Sequence, residues 1–561
     1  MKTTSLLWIT AMLLLLASCS SDEVQTTYPD LSDSEALITE DSLMDHIHVL
    51  ASDEFEGRAP ATRGDELTIR YITDQLRQIG VQPGMPDGSY FQEMPMAGQV
   101  VDGGSASFAI KTAGGETISL DYRTEFMAWP ANQSETVDVS NAELLYVGYG
   151  IQAPEYEWDD YKGEDVAGKV LIYKNSDPSH DPDLFEGDSR LYYGRWSYKF
   201  EKAEEMGALG AIIIHTEPTA GYGWNIIVNS WGRERFSLRS GDSSAGKPEF
   251  SSWLTTPASE TLFSEAGLDL NEMLEAADDI EFHPVPLEGV TVDVALNAEY
   301  SQISSGNIVG VIEGNDPDLK DEYLIFSAHY DHLGITEPVE GDSINNGAHD
   351  NAAGVSALLN LANAYQAEQE QMRRSALFFF AGAEEMGLLG SQYWAENPTV
   401  HPGKVTANFN MDGMQVYGET GDVVLVGYGR NTITDVMRDF AEKENRIIQP
   451  DPNPQQGFFY RSDHFNFAKV GIPAIFPNPG RDYIGKPDDW NAVVDSVTAH
   501  VYHSVFDEVN EYWDPAGLEK DVRLFFRTSF HILNMDEMME WESGDEFEAV
   551  RKEMLEEAET L

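Results

Sequence analysis

Between Phe326 and Gly413 the chain carries four short segments rich in histidine and carboxylate side chains. They read Ser327-Ala328-His329-Tyr330-Asp331-His332, Gly347-Ala348-His349-Asp350-Asn351, Ala383-Glu384-Glu385-Met386-Gly387 and Asn410-Met411-Asp412-Gly413. Nitrogen and oxygen donors without sulfur suit zinc, with manganese or cobalt as weaker fits. Five such ligands sharing one carboxylate suit two ions about 3.5–4 Å apart, which polarise a carbonyl and acidify a water for hydrolysis. The doubled acid Glu384-Glu385 fits that chemistry, with one carboxylate on metal and its neighbour free as general base. Alone, a Glu-Glu pair is equally what a solvated helix start looks like. In His329-x-Asp331 the spacing lets Asp331 hold the second imidazole nitrogen and fix the tautomer.

Those residues need a scaffold that brings them to one rim. Ile308–Ile312, Tyr323–Phe326, Ala376–Phe380, Val405–Asn410 and Val423–Val426 are apolar runs of strand length, and Gly354–Tyr365 is helical. Alternating strands and helices imply an α/β fold, a three-layer sandwich with a mainly parallel mixed sheet covered on both faces. In such open sheets ligands gather beyond the C-terminal strand ends. His329, Glu384-Glu385 and Asp412 each follow a strand end, and Asp350 lies in a small-residue loop ahead of a helix starting near Ala352.

Length and composition set the bounds. At 561 residues the chain exceeds one compact core. Its 42% apolar content, with 26 Phe, 24 Tyr and 11 Trp, is globular. Thirty-five basic against 97 acidic residues give a formal charge of −62, which disfavours nucleic acid or anionic lipid as partners. Cys19 is the only cysteine, so no intramolecular disulfide, thiol catalysis or zinc–thiolate site is available. Lys2 followed by the apolar run Leu6–Ala17 reads as a signal segment, too short for a membrane span. Its end, Leu16-Ala17-Ser18-Cys19, resembles the lipobox of bacterial lipoproteins, which implies cleavage after residue 18, a lipid on Cys19, membrane anchoring, and export to the periplasm, outer membrane or cell surface.

Residues 19–38 read as a tether, and 39–132 as the start of the main domain. Leu43, Ile47 and Leu50 mark a first helix capped at Asp41 or Ser42, and Leu67, Tyr71 and Leu76 a second helix stopping near Gly80. A β-rich unit is expected over 133–298, α/β structure over 299–535, and a peripheral acidic helix with few apolar anchors over 536–561. His180 and His215, both isolated in the β-rich unit, read as structural or surface histidines.

The four segments, together with Leu50-Ala51-Ser52-Asp53 through Arg58, Ser462-Asp463-His464, Gly471-Ile472-Pro473-Ala474 and Tyr502-His503-Ser504, resemble the M28 family of co-catalytic zinc peptidases. The resemblance covers about residues 40 to 535. Gly148-Tyr149-Gly150-Ile151, Val166-Ala167-Gly168-Lys169-Val170, and Lys202-Ala203 followed by Gly207–Ala211 resemble an inserted protease-associated domain, a non-catalytic lid or substrate-contact module. The family likeness implies a zinc-peptidase, phosphorylase/hydrolase-like fold, two zinc ions, and aminopeptidase activity on peptide substrates. Asp350 would bridge the ions, with His329 and Asp412 on one and Glu385 and His503 on the other. Glu384 would be the general base on a metal-bridging water, Asp331 the orienting residue, and the Asp350–Asn351 bond cis. His503, followed by Ser504 and Asp507, fits the family's last ligand better than His464 does. Tyr502, or less readily Tyr460, would steady the oxyanion. His349, where relatives carry Asp or Asn, leaves open an extra charge near the metals.

Competing readings are a carboxypeptidase or single-zinc glutaminyl cyclase of the same fold, and a non-catalytic receptor-like module, which would be expected to lack ligands. No Gly-x-Ser-x-Gly elbow is present to support a serine hydrolase.

Overall fold

The structure, a computed structural model, describes residues 30–179, 181, 184–240 and 246–560. The signal segment 1–18, Cys19 and His180 lie outside the described residues, as does the first part of the expected tether. Among the described residues no helix is long and apolar enough to cross a membrane.

The elements that frame the site are α1 (Glu40–Leu50), α2 (Arg63–Ile79), β1 (Phe91–Val101), β2 (Val285–Ile312), β3 (Tyr323–His329), α3 (Ala353–Ala367), β4 (Ser375–Ala381), α4 (Leu389–Glu396), β5 (Val405–Asn410), β6 (Asp422–Val426), α5 (His464–Lys469), β7 (Ala474–Asn478), α6 (Trp490–Val501), α7 (Ala516–Asn534) and α8 (Glu548–Ala558). Their sheet runs β1–β2–β4–β3–β5–β7–β6. The central pairings β4–β3, β3–β5 and β5–β7 are parallel, while β1–β2, β2–β4 and β7–β6 are antiparallel. The fold is α/β with a mainly parallel mixed sheet, as the alternation of strands and helices implies.

Burial explains why β3 and β4 read as unbroken apolar runs: both faces are covered. Leu324, Phe326, Phe378 and Phe380 join one core with α1, α3 and α7. Ile325, Leu377 and Phe379 point the other way, onto Trp394 of α4 and Phe467 of α5. The period-2 alternation of side chains thus splits three consecutive phenylalanines between two cores. On the first face Phe326 stacks on Phe378 with centroids 5.3 Å apart.

Helix α1 is capped by Thr39 rather than Asp41 or Ser42. The Thr39 hydroxyl accepts from the Ser42 amide at 3.1 Å, and the Ser42 hydroxyl accepts from the Thr39 amide, a reciprocal box one turn earlier than expected. Helix α2 ends on Gly80 at φ 103°, a left-handed cap that a side chain would strain.

Strand β2 is long enough to serve two sheets. Residues 298–308 pair with β1, while 285–297 pair with Ser107–Lys111 and Thr136–Tyr146 in a second, β-rich lobe. Phe126–Pro130, Phe250–Thr255, Gly210–His215 and Val170–Lys174 extend that second sheet. The boundary expected near residue 132 therefore falls inside the lobe sheet. Phe108, Ile110, Leu120 and Phe126, upstream of it, are buried in the lobe core.

The acidic C-terminal segment docks more firmly than its composition suggests. Its helix is only α8, and the stretch before it is anchored by buried Met539, Trp541 and Phe547. Trp541 donates to the Gly471 carbonyl at 3.0 Å, and Arg551 to the Val405 carbonyl at 2.8 Å.

Candidate metal centre

The C-terminal ends of β3, β4 and β5 deliver His329, the Glu384-Glu385 turn and Asp412 to one rim. His329 is the last residue of β3 itself. Its Nε2 lies 3.2 Å from Asp350 Oδ1 and 3.4 Å from Asp412 Oδ1. On the other side, His503 Nε2 lies 3.2 Å from both Asp350 Oδ2 and Glu385 Oε2. Asp350 thus presents one oxygen to each histidine. Donor atoms of His329, Asp350 and Asp412 lie within 4.8 Å of one another, as do those of His332, Asp350 and Glu385.

The Asp350 loop is held from both sides. The Asp350–Asn351 bond is cis. The Asp507 carboxylate accepts from the amides of His349 and Asp350, each at 3.0 Å, and the Asp507 carbonyl accepts from the Ala348 amide. Arg58, only 1% exposed, donates to the carbonyls of Leu50, Tyr330, Asn346 and Gly347 at 2.6–2.8 Å. Four carbonyls satisfying one buried guanidinium tie the loop after β3, the Asp350 loop and the N-terminal helices into one unit. Asp412 is fixed separately by Ser462, whose hydroxyl donates to Oδ2 at 2.7 Å.

The electrostatics show a surplus of negative charge. Burial pushes the Glu384 carboxyl well above its ordinary range, and Glu385 and Asp412 add to the shift. Burial likewise takes Asp331 up to about 8, with Glu385 contributing. Burial works to lower the His329 pKa, yet the Glu384 and Asp412 carboxylates hold it well above normal. Convergent, mutually repelling carboxylates with imidazoles between them are the donor set a divalent cation fits, because its charge offsets the repulsion. The Glu384 carboxylate makes no hydrogen bond among the described residues and so remains free beside these donors.

Several expected residues sit differently. Asp331 does not hold His329 through its carboxylate: His329 Nδ1 meets the Asp331 main-chain oxygen at 3.2 Å, with the carboxylate 3.9 Å away. That carboxylate instead accepts the amides of Glu384 at 3.0 Å and Glu385 at 3.3 Å, because the β3 end turns its side chain toward the β4 loop. His349 turns away, its Nε2 2.9 Å from the Met414 carbonyl, so it adds no charge toward the donors. His464 is fully buried between Phe459 and Phe476, and burial takes its pKa down to about 3. Tyr460 is committed to Glu546 at 2.5 Å. Tyr502 stacks on His503 with centroids 3.9 Å apart and is 61% exposed at the mouth. His215 is buried against Trp224 and Trp253 and bonds the Tyr222 carbonyl at 3.1 Å.

Sequence reasoning missed His332. Its ring is fully buried, Nδ1 lies 2.7 Å from Glu385 Oε1, and Nε2 has no partner. Its place one residue after Asp331 was the available signal. Asp507 and Ser462 stood within motifs already singled out, but their bonds join segments 50 to about 160 residues apart, which spacing does not reveal.

Against this geometry, residues 307–526 match the model of peptidase family M28. Leupeptin-inactivating enzyme 1 of Streptomyces exfoliatus is 28% identical over 181 residues, which is 31% of this chain and 40% of that protein. The match thus spans less than half of that relative's length. Among solved structures, the aminopeptidase from Aneurinibacillus sp. strain AM-1 is similar over 90% of this chain and 96% of its own, at 18% identity and TM-score 0.48. The zinc aminopeptidase BSAP from Bacillus subtilis is similar over 88% and 95%, at 17% identity and TM-score 0.39.

Proposed function

We propose that the protein is a di-zinc metallo-exopeptidase, an aminopeptidase that removes N-terminal residues from peptides. The observation that supports this reading is the shared carboxylate: one Asp350 oxygen meets His329, which also meets Asp412, and the other meets His503, which also meets Glu385. The peptidase M28 match over the same segment supports it. His329, Asp350 and Asp412 would hold one zinc, and Asp350, Glu385 and His503 the other. When bound, the ions would supply Lewis acidity to the scissile carbonyl and lower the pKa of a water between them.

The chain's own residues do the rest. Glu384, unengaged and with a raised pKa, takes the proton from the attacking water and returns it to the leaving amine. Asp331 fixes that base by accepting the Glu384 and Glu385 amides. The Tyr502 phenol at the mouth keeps its proton at neutral pH, as an ordinary phenol does, and can donate to a developing oxyanion. The β-rich lobe would serve as a protease-associated lid, and Cys19 would carry the lipid of an exported bacterial lipoprotein. Metabolic labelling with palmitate, lost in Cys19→Ala, tests that address; labelling that persists in the variant would refute it.

Hydrolysis of aminoacyl-arylamides with and without chelator tests the activity. Cleavage abolished by chelator and restored by zinc is expected. Chelator-insensitive cleavage, or none of any substrate with a free N-terminus, would overturn the reading.

A further inference from the structure

His332 is a buried histidine of this site that the mechanism leaves unused. Its Nδ1 lies 2.7 Å from Glu385 Oε1, and the ring is fully buried. An ionised carboxylate only accepts, so Nδ1 carries the proton and donates it in that hydrogen bond. The ring's other nitrogen, Nε2, is buried and has no partner among the described residues, so Glu385 is the one group that claims this ring through a hydrogen bond. Its Cδ2 edge packs against Gly347, where an added Cβ would come within 2.7 Å of it. On the far side, His503 Nε2 takes the other Glu385 oxygen, Oε2, at 3.2 Å. The two imidazoles stand nearly edge to face with centroids 5.9 Å apart, and the Glu385 carboxylate is held between them.

Spacing decides what each imidazole does. Two ligands that each stand about 2.0–2.1 Å from one tetrahedral zinc are held roughly 3.3 Å from one another. The pairs His329–Asp350, His329–Asp412, His503–Asp350 and His503–Glu385 lie at 3.2–3.4 Å, which is that spacing. His332 and Glu385, at 2.7 Å, are too close to share such an ion and match a charge-assisted hydrogen bond instead. Although the donor atoms of His332, Asp350 and Glu385 cluster within 4.8 Å, this distance sets His332 apart from the ligands.

We propose that His332 is a positioning residue for the zinc site of Glu385 and His503. By occupying Oε1 it fixes the rotation of the Glu385 carboxylate and leaves Oε2 alone to face the ion beside Asp350 and His503. This rests on the di-zinc reading and deepens it, because it names the residue that sets one of the two metal affinities. Loss of a hydrogen-bond partner of a metal ligand weakens metal binding by about 10–100-fold.

Zinc affinity of the full chain, read by competition with a fluorescent chelator, tests this independently of turnover. Two equivalents are expected in the wild type. His332→Phe keeps a ring and removes the donor. It should weaken one equivalent about 10–100-fold and leave the other unchanged. His332→Asn places its amide NH2 near the position of Nδ1 and should restore the weakened equivalent to near wild-type strength. Should His332→Phe not fold, His332→Ala, smaller than the native ring, carries the same expectation. Two equivalents held at wild-type strength in the donor-less variant, two weakened alike, or no rescue by His332→Asn would each overturn the positioning role and leave the di-zinc reading standing. A wild type that binds fewer than two equivalents would overturn that reading and the inference with it.

Discussion

Two buried clusters of ionisable side chains, one in each lobe, differ in whether they can neutralise themselves. In the β-rich lobe, Lys199 is fully buried and donates to the Tyr193 carbonyl at 2.7 Å, while the Asp177 and Asp160 carboxylates oppose the burial-driven fall in its pKa from beyond ion-pair distance. Asp160 accepts from the Ile151 amide and the Trp158 indole, and Asp177 from the Leu191 amide. Burial raises both carboxyls and lowers the lysine, but the opposite charges pull against those shifts and each group has hydrogen-bond partners. The rim cluster has four carboxylates, Asp350, Glu384, Glu385 and Asp412, around His329 and His503, and the buried Arg58 that feels Asp350 and Glu385 spends its donors on four main-chain carbonyls. A cluster that balances itself is architecture. One that cannot is waiting for charge from outside, and the donor types name a divalent cation.

That contrast can be broken at several points. Removing the base should have the largest effect: Glu384→Gln is expected to lose about 10²–10⁴-fold in kcat while keeping its zinc, read by steady-state kinetics beside metal analysis. Retained turnover would remove Glu384 from the role. His503→Ala should lose one zinc equivalent and most activity. His464→Ala should keep its zinc and mainly lower Tm, because the ring packs between Phe459 and Phe476 and is not among the metal-centre donors. Lys199→Met strands two buried carboxylates and should cost about 3–5 kcal/mol of stability in denaturant unfolding, with unchanged zinc content per folded chain. A loss of zinc there would mean the two clusters are not independent.

The smallest effect concerns a third cluster, in which Arg430 is shared by Asp545 and Glu546 ahead of α8. Burial takes the Glu546 carboxyl up to about 7 against Arg430's opposing pull. A folded pKa above the ordinary 4.5 stabilises the docked tail fully below about pH 4.5, and that contribution is lost as pH rises to about 7. Amide exchange in 540–560 should therefore quicken between pH 5 and 8, and Glu546→Gln should flatten the trend.

Much of this was legible in the sequence where the signal is local. The runs that became β3, β4 and β5 are apolar because both sheet faces are covered, so their ends, and the residues just beyond them, could be located by inspection. The preference for His503 over His464 comes from the family resemblance at the flanking Ser504 and Asp507, and in the fold Asp507 anchors the Asp350 loop. What stayed hidden depends on contacts between distant segments. Asp331 was misread because the turn after β3, not residue spacing, decides whether a main-chain or side-chain oxygen meets His329. The sequence assigns His332 no role, and only the fold lays it against Glu385. The lobe boundary was misplaced because Ser107–Lys111 pairs with 291–295, nearly two hundred residues away. The docking of Trp541 depends on the Gly471 carbonyl, which nothing in the tail's composition encodes.

The central claim is that the rim cluster's surplus charge is met by two ions bridged by Asp350. Zinc counted per chain by mass spectrometry on active, freshly dialysed protein tests it most directly. Two equivalents in the wild type, falling to one or fewer in Asp350→Asn, is the predicted result. A fully active wild type that holds one equivalent or none would contradict it.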